Sequence, residues 1–336
     1  MNASGIPSPV SPSTQAAPPH GPLSFGQILD RIFRLVRANL GPFAGIGSLP
    51  AGFVALLYLA MIGGMLAVVQ PWHTPNPAAI PPRIGLFFVV LPVVYVLLLL
   101  IFALYQPAAV YGALQADAGA RVSVRGAWSL ALKKAGRYIW LMILSCLIVA
   151  GPIVLLAAIV AGTIGLALAS GKNPFDSGAG LLLIPLAALL YIGAMVYSVI
   201  AALWVSLACP ACVAEDLPAR AAISRSFRLT RGAKGRLFLL LLVIYAISYA
   251  GIFAVEMVFL FLGSLGALVF VLLHIPLKPW GFAGIGVAGI VLLAAVFFWM
   301  VVTWSAYFTA FAVVYRDQRQ RMERAAAADT IATPAP

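Results

Sequence analysis

Arg220–Arg236, RAAISRSFRLTRGAKGR, runs directly into Leu237–Phe270, LFLLLLVIYAISYAGIFAVEMVFLFLGSLGALVF. The first part is basic and amphipathic. The second holds a single charged side chain, Glu256. About 20 consecutive apolar residues carry a helix across the hydrocarbon core of a bilayer, so this stretch reads as a membrane span entered from a basic surface. The same pattern extends along the chain. Apolar stretches cover roughly 43–69, 84–114, 138–169, 181–214, 237–273 and 281–315, six in all. A composition of 63% hydrophobic and 9% charged residues, with mean hydropathy +1.05, lies outside the range of soluble domains. The apolar runs lack the period-2 alternation of a membrane β-barrel, and an open sheet cannot satisfy its backbone in lipid. The fold class is therefore all-α: a polytopic membrane protein with six transmembrane helices. Prolines at 92, 107, 152, 185 and 210 predict kinks, because each removes a backbone donor.

Charge sets an orientation. Of the 21 Lys and Arg residues, 18 lie in the N-terminal segment, in every second connection or in the C-terminal segment. The other three connections hold one each: Arg83, Lys172 and Lys278. Short basic loops stay on the cytoplasmic side during insertion, so both termini are expected in the cytoplasm. The net charge of +12 sits beside spans, where anionic headgroups are the nearer partner. A nucleic-acid partner is not expected. Residues 1–22, rich in Pro, Ser and Ala, read as a disordered tail and not as a signal peptide, and 325–336 reads as a second disordered tail.

The chain also echoes itself. Phe33-Arg34-Leu35-Val36-Arg37 returns as Phe227-Arg228-Leu229-Thr230-Arg231, with Leu132-Lys133-Lys134 midway. Pro107-Ala-Ala-Val110 and Pro210-Ala-Cys-Val213 both close a pair of spans. The expectation is three repeats, about 23–117, 118–216 and 217–317, inside a membrane domain of 23–324. Each repeat would comprise an amphipathic interfacial helix and a transmembrane helix pair. In the first, Ser24 and Gln27 form a capping box, with Leu23 and Ile28 placed as a hydrophobic staple. Phe25, Ile28, Leu29, Ile32 and Val36 make the apolar face, predicted to rest on lipid with the arginines toward phosphate. In the second, Arg125, Ser129, Lys133 and Arg137 form a polar stripe opposite Val124, Trp128, Ala131 and Ala135. In the third, Ser224, Arg228 and Arg231 continue it and Arg225 widens it. The candidate headgroup-binding residues are Arg31, Arg34, Arg37, Arg125, Lys133, Lys134, Arg225, Arg228 and Arg231.

Other motifs carry less. Glu256 is the one acid inside an apolar stretch and the candidate intramembrane polar residue, whether as a relay group or as an outer-interface carboxylate. Tyr245 and Tyr249 are its candidate hydrogen-bonding partners. Cys209-Pro-Ala-Cys212, with Cys146, reads as small buried thiols, since no further Cys or His completes a zinc site. Gly284-x-Gly286-x-x-Gly289 matches a dinucleotide fingerprint only as a string, because it opens a span instead of following a strand. His20, His73 and His274 are isolated, and most of the remaining acids sit among arginines, as ion pairs do. No catalytic residue, cofactor or metal site is expected.

Three segments carry a family resemblance: Leu23–Leu35, Glu215–Gly232 and Tyr315-Arg316-Asp317-Gln318-Arg319. Together they resemble the bacterial multi-pass family known as the glycerophosphoryl diester phosphodiesterase membrane domain. The resemblance implies a six-span inner-membrane protein. It implies no phosphodiesterase activity, because the His-Arg pair used by such enzymes is missing: no His here precedes Arg. The expectation is a non-enzymatic protein of the bacterial inner membrane that binds anionic phospholipid or serves as a scaffold for a protein partner. The alternative is a small-solute or lipid transporter using Glu256 and kinked helices.

Overall fold

The computed structural model describes residues 23–69, 80–171, 178–272 and 279–332. These residues are helical throughout apart from short connections, and no strand occurs among them. The first unit is α1 (Phe25–Ala38), α2 (Leu40–Val69) and α3 (Ile80–Asp117). Next come α4 (Val124–Lys133), α5 (Ala135–Ala169), α6 (Gly178–Val205) and the short α7 (Ala208–Ala214). The last are α8 (Ala219–Thr230), α9 (Lys234–Leu272) and α10 (Pro279–Ala332). A short amphipathic helix followed by two long apolar ones thus occurs three times in chain order. Six of the helices are long and apolar enough to cross a membrane.

Local chemistry explains the helix starts. Ser24 Oγ accepts from the Gln27 amide at 3.4 Å, and Gln27 Oε1 accepts from the Ser24 amide at 2.8 Å. The capping box is therefore complete. Ser123 Oγ caps α4 by accepting from the Gly126 amide at 3.1 Å. Three sequence expectations change. First, the apolar face of α1 does not rest on lipid: Ile28, Ile32 and Val36 are buried by protein, with α10 the main neighbour. Amphipathicity is the same signal whether the apolar stripe meets lipid or a neighbouring helix. Second, the polar stripe of the second unit is divided. α4 ends at Lys133, and Arg137 belongs to the first turn of α5. Third, α10 continues through Ala332. The segment 325–336 is therefore helical over its described residues, as its alanine run favours. Residues 1–22 lie outside the described residues.

Helices run unbroken through Pro50, Pro92, Pro107, Pro152 and Pro185. The chain opens only before Pro210, between α6 and α7. Proline has no N–H to offer the carbonyl four residues back, and its ring crowds that carbonyl. Ser226 of α8 enters the gap. Its hydroxyl donates to the Trp204 carbonyl at 2.6 Å and accepts from the Leu207 amide at 3.1 Å. One fully buried side chain replaces what the broken ladder lost.

Packing is concentrated at one end. Buried side chains lie on α2 up to Val54, on α3 from Ala103, on α6 from Ala201, on α9 up to Ile244 and on α10 from Val301. On α5 they are Tyr138 and Leu141. The short helices α1, α4, α7 and α8 all insert into this core. The opposite halves of α5, α6 and α9 present exposed Leu, Ile, Val and Phe, as surfaces that meet lipid do. Three close approaches use glycine among the described residues, one of them at Gly45, where a Cβ would lie 2.9 Å from Val124 Cγ2. A Cβ on Gly251 would collide with the Trp299 ring, which packs α10 on α9, and one on Gly112 would lie 2.9 Å from Ile46 Cδ1. Trp299 also donates its ring N–H to the Ser248 carbonyl at 3.0 Å.

Removing the Ser226 hydroxyl leaves the Leu207 amide and the Trp204 carbonyl buried without partners. Ser226→Ala is expected to cost about 1–3 kcal/mol, read as a lower unfolding midpoint in detergent. An unchanged midpoint would mean that the α6–α7 break does not depend on this bridge.

Candidate functional site at the basic end

The acids near the helix ends are drawn into four clusters, all at the end where the core lies. At the C-terminus of α3, Asp117 has only 1% of its side chain exposed. Arg31 of α1 donates Nε–H to its Oδ1 at 2.6 Å, and Arg316 of α10 donates to its Oδ2 at 2.8 Å. One carboxylate thereby ties together three helices that are distant in sequence. Arg316 also donates to the Leu114 carbonyl at 3.3 Å, at the end of α3 where helix carbonyls lack internal partners.

Asp317, the next residue of α10 and 2% exposed, has the same role. It accepts from Arg236 at the start of α9 at 3.3 Å and from Arg321 at 2.9 Å. Its other oxygen accepts from the Leu23 amide at 3.0 Å, ahead of α1. Arg236 and Arg321 both also donate to the Leu23 carbonyl. The entry to α1 is fixed by charged hydrogen bonds on both its backbone groups.

The third and fourth clusters are adjacent. Glu215, after α7, accepts from Arg225 Nε at 3.1 Å and from the Tyr315 hydroxyl at 2.6 Å. Burial pushes the Glu215 carboxyl up. The hydrogen bonds from Tyr315 and Arg225 outweigh that and hold it below the usual carboxylate range. Asp216 has φ +53°, a left-handed conformation that Asp tolerates better than most residues. In that conformation Asp216 receives Lys134 at 2.5 Å and Arg137 on its carboxylate, and Arg137 again on its carbonyl at 3.0 Å. Hydrogen bonds from Lys134 and Arg137 hold its carboxyl down as well. Nearby, Lys234 stands 4.9 Å over the Trp204 ring and joins the start of α9 to the end of α6.

This geometry divides the nine candidate cations. Arg31, Lys134 and Arg225 are held by Asp117, Asp216 and Glu215. Arg34 stands 4.0 Å from Asp30 with both side chains mostly in solvent, an arrangement worth little. Arg37, Arg125, Lys133, Arg228 and Arg231 are exposed and have no ion pair among the described residues. The positions echoed between the first and third units agree: Arg34 and Arg228 are both exposed, as are Arg37 and Arg231.

Arg137, Arg236, Arg316, Asp317 and Arg321, none of them a candidate from sequence, turn out to be structural partners. A signal for the acids existed. Asp117, Asp216 and Asp317 are spaced 99 and 101 residues apart, about half the 194-residue offset of the Phe-Arg-Leu echo.

Two clefts flank the exit of α10. One, of about 680 Å³, lies between α1, the end of α3 and α10, with Arg31, Asp117, Arg316, Asp317 and Gln320 on its walls. The other, of about 590 Å³, lies between α3, α7 and α10, lined in part by Gln115, Tyr315, Arg316 and Arg319.

Glu256 is not part of any of these clusters. It is exposed on α9, 20 residues beyond Arg236 on an unbroken helix, which is about 30 Å at 1.5 Å per residue. Tyr245 and Tyr249 stack on each other at 6.0 Å, and no hydrogen bond among the described residues joins them to Glu256. Cys209 and Cys212 are buried free thiols on α7, and Cys146 is a half-buried free thiol. Cys212 donates to the Leu217 carbonyl at 3.2 Å. The Gly284–Gly289 string is part of the continuous helix α10. No group of metal-ligating side chains occurs among the described residues. His20, His73 and His274 lie outside them. Compared with known proteins, the chain matches no family model, no curated protein and no solved structure.

The lowered carboxyls give a signed pH dependence. A carboxyl held below its unfolded value, 4.5 for a glutamate, contributes stability above that value and loses it as the pH falls through the folded one. Glu215→Gln is therefore expected to unfold at a lower temperature than the native chain near pH 7. The gap should close as the pH falls below about 4.5. Melting curves between pH 7 and pH 3 check this; a gap constant with pH would contradict the ion-pair assignment.

Proposed function

We propose that this is a non-enzymatic membrane protein, a six-span domain of three internal repeats, whose basic end binds anionic phospholipid headgroups. The supporting observation is the division of the cations. Asp117, Glu215, Asp216 and Asp317 serve to position helices, while Arg37, Arg125, Lys133, Arg228 and Arg231 stay exposed around the same end. Cations kept away from protein carboxylates, beside apolar spans, are disposed toward lipid phosphate. The positive-inside rule then puts this end, with both termini, on the cytoplasmic side of the bacterial inner membrane. The resemblance to the glycerophosphoryl diester phosphodiesterase membrane domain in Leu23–Leu35, Glu215–Gly232 and Tyr315–Arg319 fits this placement. Those motifs coincide with the helix-fixing clusters, so the shared feature of such chains is, in this reading, the clamped end and not a reaction. Engagement of a protein partner through the same exposed cations is compatible with the geometry. The transport reading gains less support, since Glu256 is exposed on an apolar face and has no hydrogen bond or ion pair among the described residues.

Each basic residue near an anionic surface contributes about 1 kcal/mol. The triple variant Arg34→Gln, Lys133→Gln, Arg228→Gln should therefore reduce retention of phosphatidylglycerol on the order of a hundredfold. A weaker salt dependence should accompany the drop, since Arg37, Arg125 and Arg231 remain. Native mass spectrometry of protein extracted in lipid discs checks this, and undiminished retention would contradict the reading.

A further inference from the structure

The cleft between α1, α3 and α10 differs from the exposed collar. Asp117 has two oxygens and both are taken, one by Arg31 and one by Arg316. One carboxylate between two guanidinium groups leaves the cluster with a net positive charge. The clamp around Asp317 repeats this with Arg236 and Arg321. On the walls of the cleft itself Arg31, Arg316 and Arg324 stand with Asp117, Asp317 and Glu323.

The donors are also incompletely used. A guanidinium carries five N–H groups. Arg31 commits only its Nε–H among the described residues, and 27% of its side chain remains exposed. Arg316 commits one donor to Asp117 and one to Leu114, with 36% exposed. The buried carboxylate holds both planar groups in place before any ligand arrives, so little rotamer freedom is lost on binding. Fixed, half-exposed guanidinium pairs match the oxygens of a phosphate group, which accepts two parallel hydrogen bonds from each.

We propose that this cleft is a phosphate-binding site in which Arg31 and Arg316 grip the anion and Asp117 positions them. The volume of about 680 Å³ admits a phosphate with a small substituent. The ligand is either the headgroup of a phosphomonoester lipid or a free phosphate from the aqueous side. The inference deepens the proposed function by naming one discrete site at the same end, yet it does not require the collar to bind lipid.

Gln320 offers a clean test. It lines the cleft, is exposed, and makes no hydrogen bond among the described residues, so Gln320→Glu adds a negative charge without dismantling a clamp. Arg31→Lys is the second variant, since it keeps the charge but loses the fork. The full chain is placed in discs of phosphatidylcholine alone, where the collar has no anionic lipid to hold. Inorganic phosphate is titrated by calorimetry. In a parallel sample, a minor fraction of phosphatidic acid is added and retained lipid is counted by native mass spectrometry.

The expected result is saturable binding of one ligand per chain in at least one arm. It should weaken about tenfold in each variant, through the added negative charge in Gln320→Glu and the lost fork in Arg31→Lys, with the melting temperature unchanged in Gln320→Glu. Saturation by phosphate identifies a soluble ligand, and saturation only by phosphatidic acid identifies a lipid. Absence of saturation in both arms, or affinity unchanged in both variants, overturns the proposal. A collar that fails shows up separately, as unchanged phosphatidylglycerol retention in the triple variant, so the two failures are distinguishable.

Discussion

Asp117 and Asp317 are the constraint on which the rest of the structure depends. Each is almost wholly removed from solvent, and each stands between two arginines from different regions of the chain. Taking charges out of water is costly, and a buried pair gains little net stability over apolar packing. The cost of removing one partner is a different matter, about 3–5 kcal/mol, because it leaves a buried charge uncompensated. Such clusters therefore act on arrangement more than on total stability. Long apolar helices have no solvophobic preference for one another within lipid. Charged bolts at one end decide which helices stand together, and in what register.

The clamps also explain why the core lies where it does. α1, α4 and α8 bring buried Ile, Ala and Leu to the end where the arginines are tied down. α7 and α8 close around the break before Pro210, with Ser226 completing the backbone bonds. Further from that end, helix contacts rely on small residues such as Gly251 under Trp299. Those contacts suit lipid, where close van der Waals approach does the work that water drives elsewhere.

Much of the fold is legible in the sequence. The spans follow from apolar run length, the start of α1 from the Ser24–Gln27 capping box, and the clustering of basic segments from their alternation along the chain. The site is legible only in outline. Sequence identifies Arg31, Lys134 and Arg225 as cations but does not separate them from Arg37 or Arg228. That distinction depends on contacts between positions far apart in sequence, such as Arg316 with Asp117. Periodicity describes one helix face and says nothing of what meets it, which is why the α1 stripe reads as lipid-facing and proves to face α10. Arg137 reads as a member of the α4 stripe for a related reason: helical spacing continues on paper across the α4–α5 boundary that the chain itself breaks.

The most direct measurement is a mutant cycle on the first clamp, read by thermal unfolding in phosphatidylcholine discs. Asp117→Asn is compared in the native chain and in a chain already carrying Arg31→Gln and Arg316→Gln. If one carboxylate organises α1, α3 and α10, the substitution should be strongly destabilising in the native chain and at least about 2 kcal/mol milder in the other background. Equal effects in the two backgrounds would show that Asp117 is not coupled to the arginines, and would contradict the account.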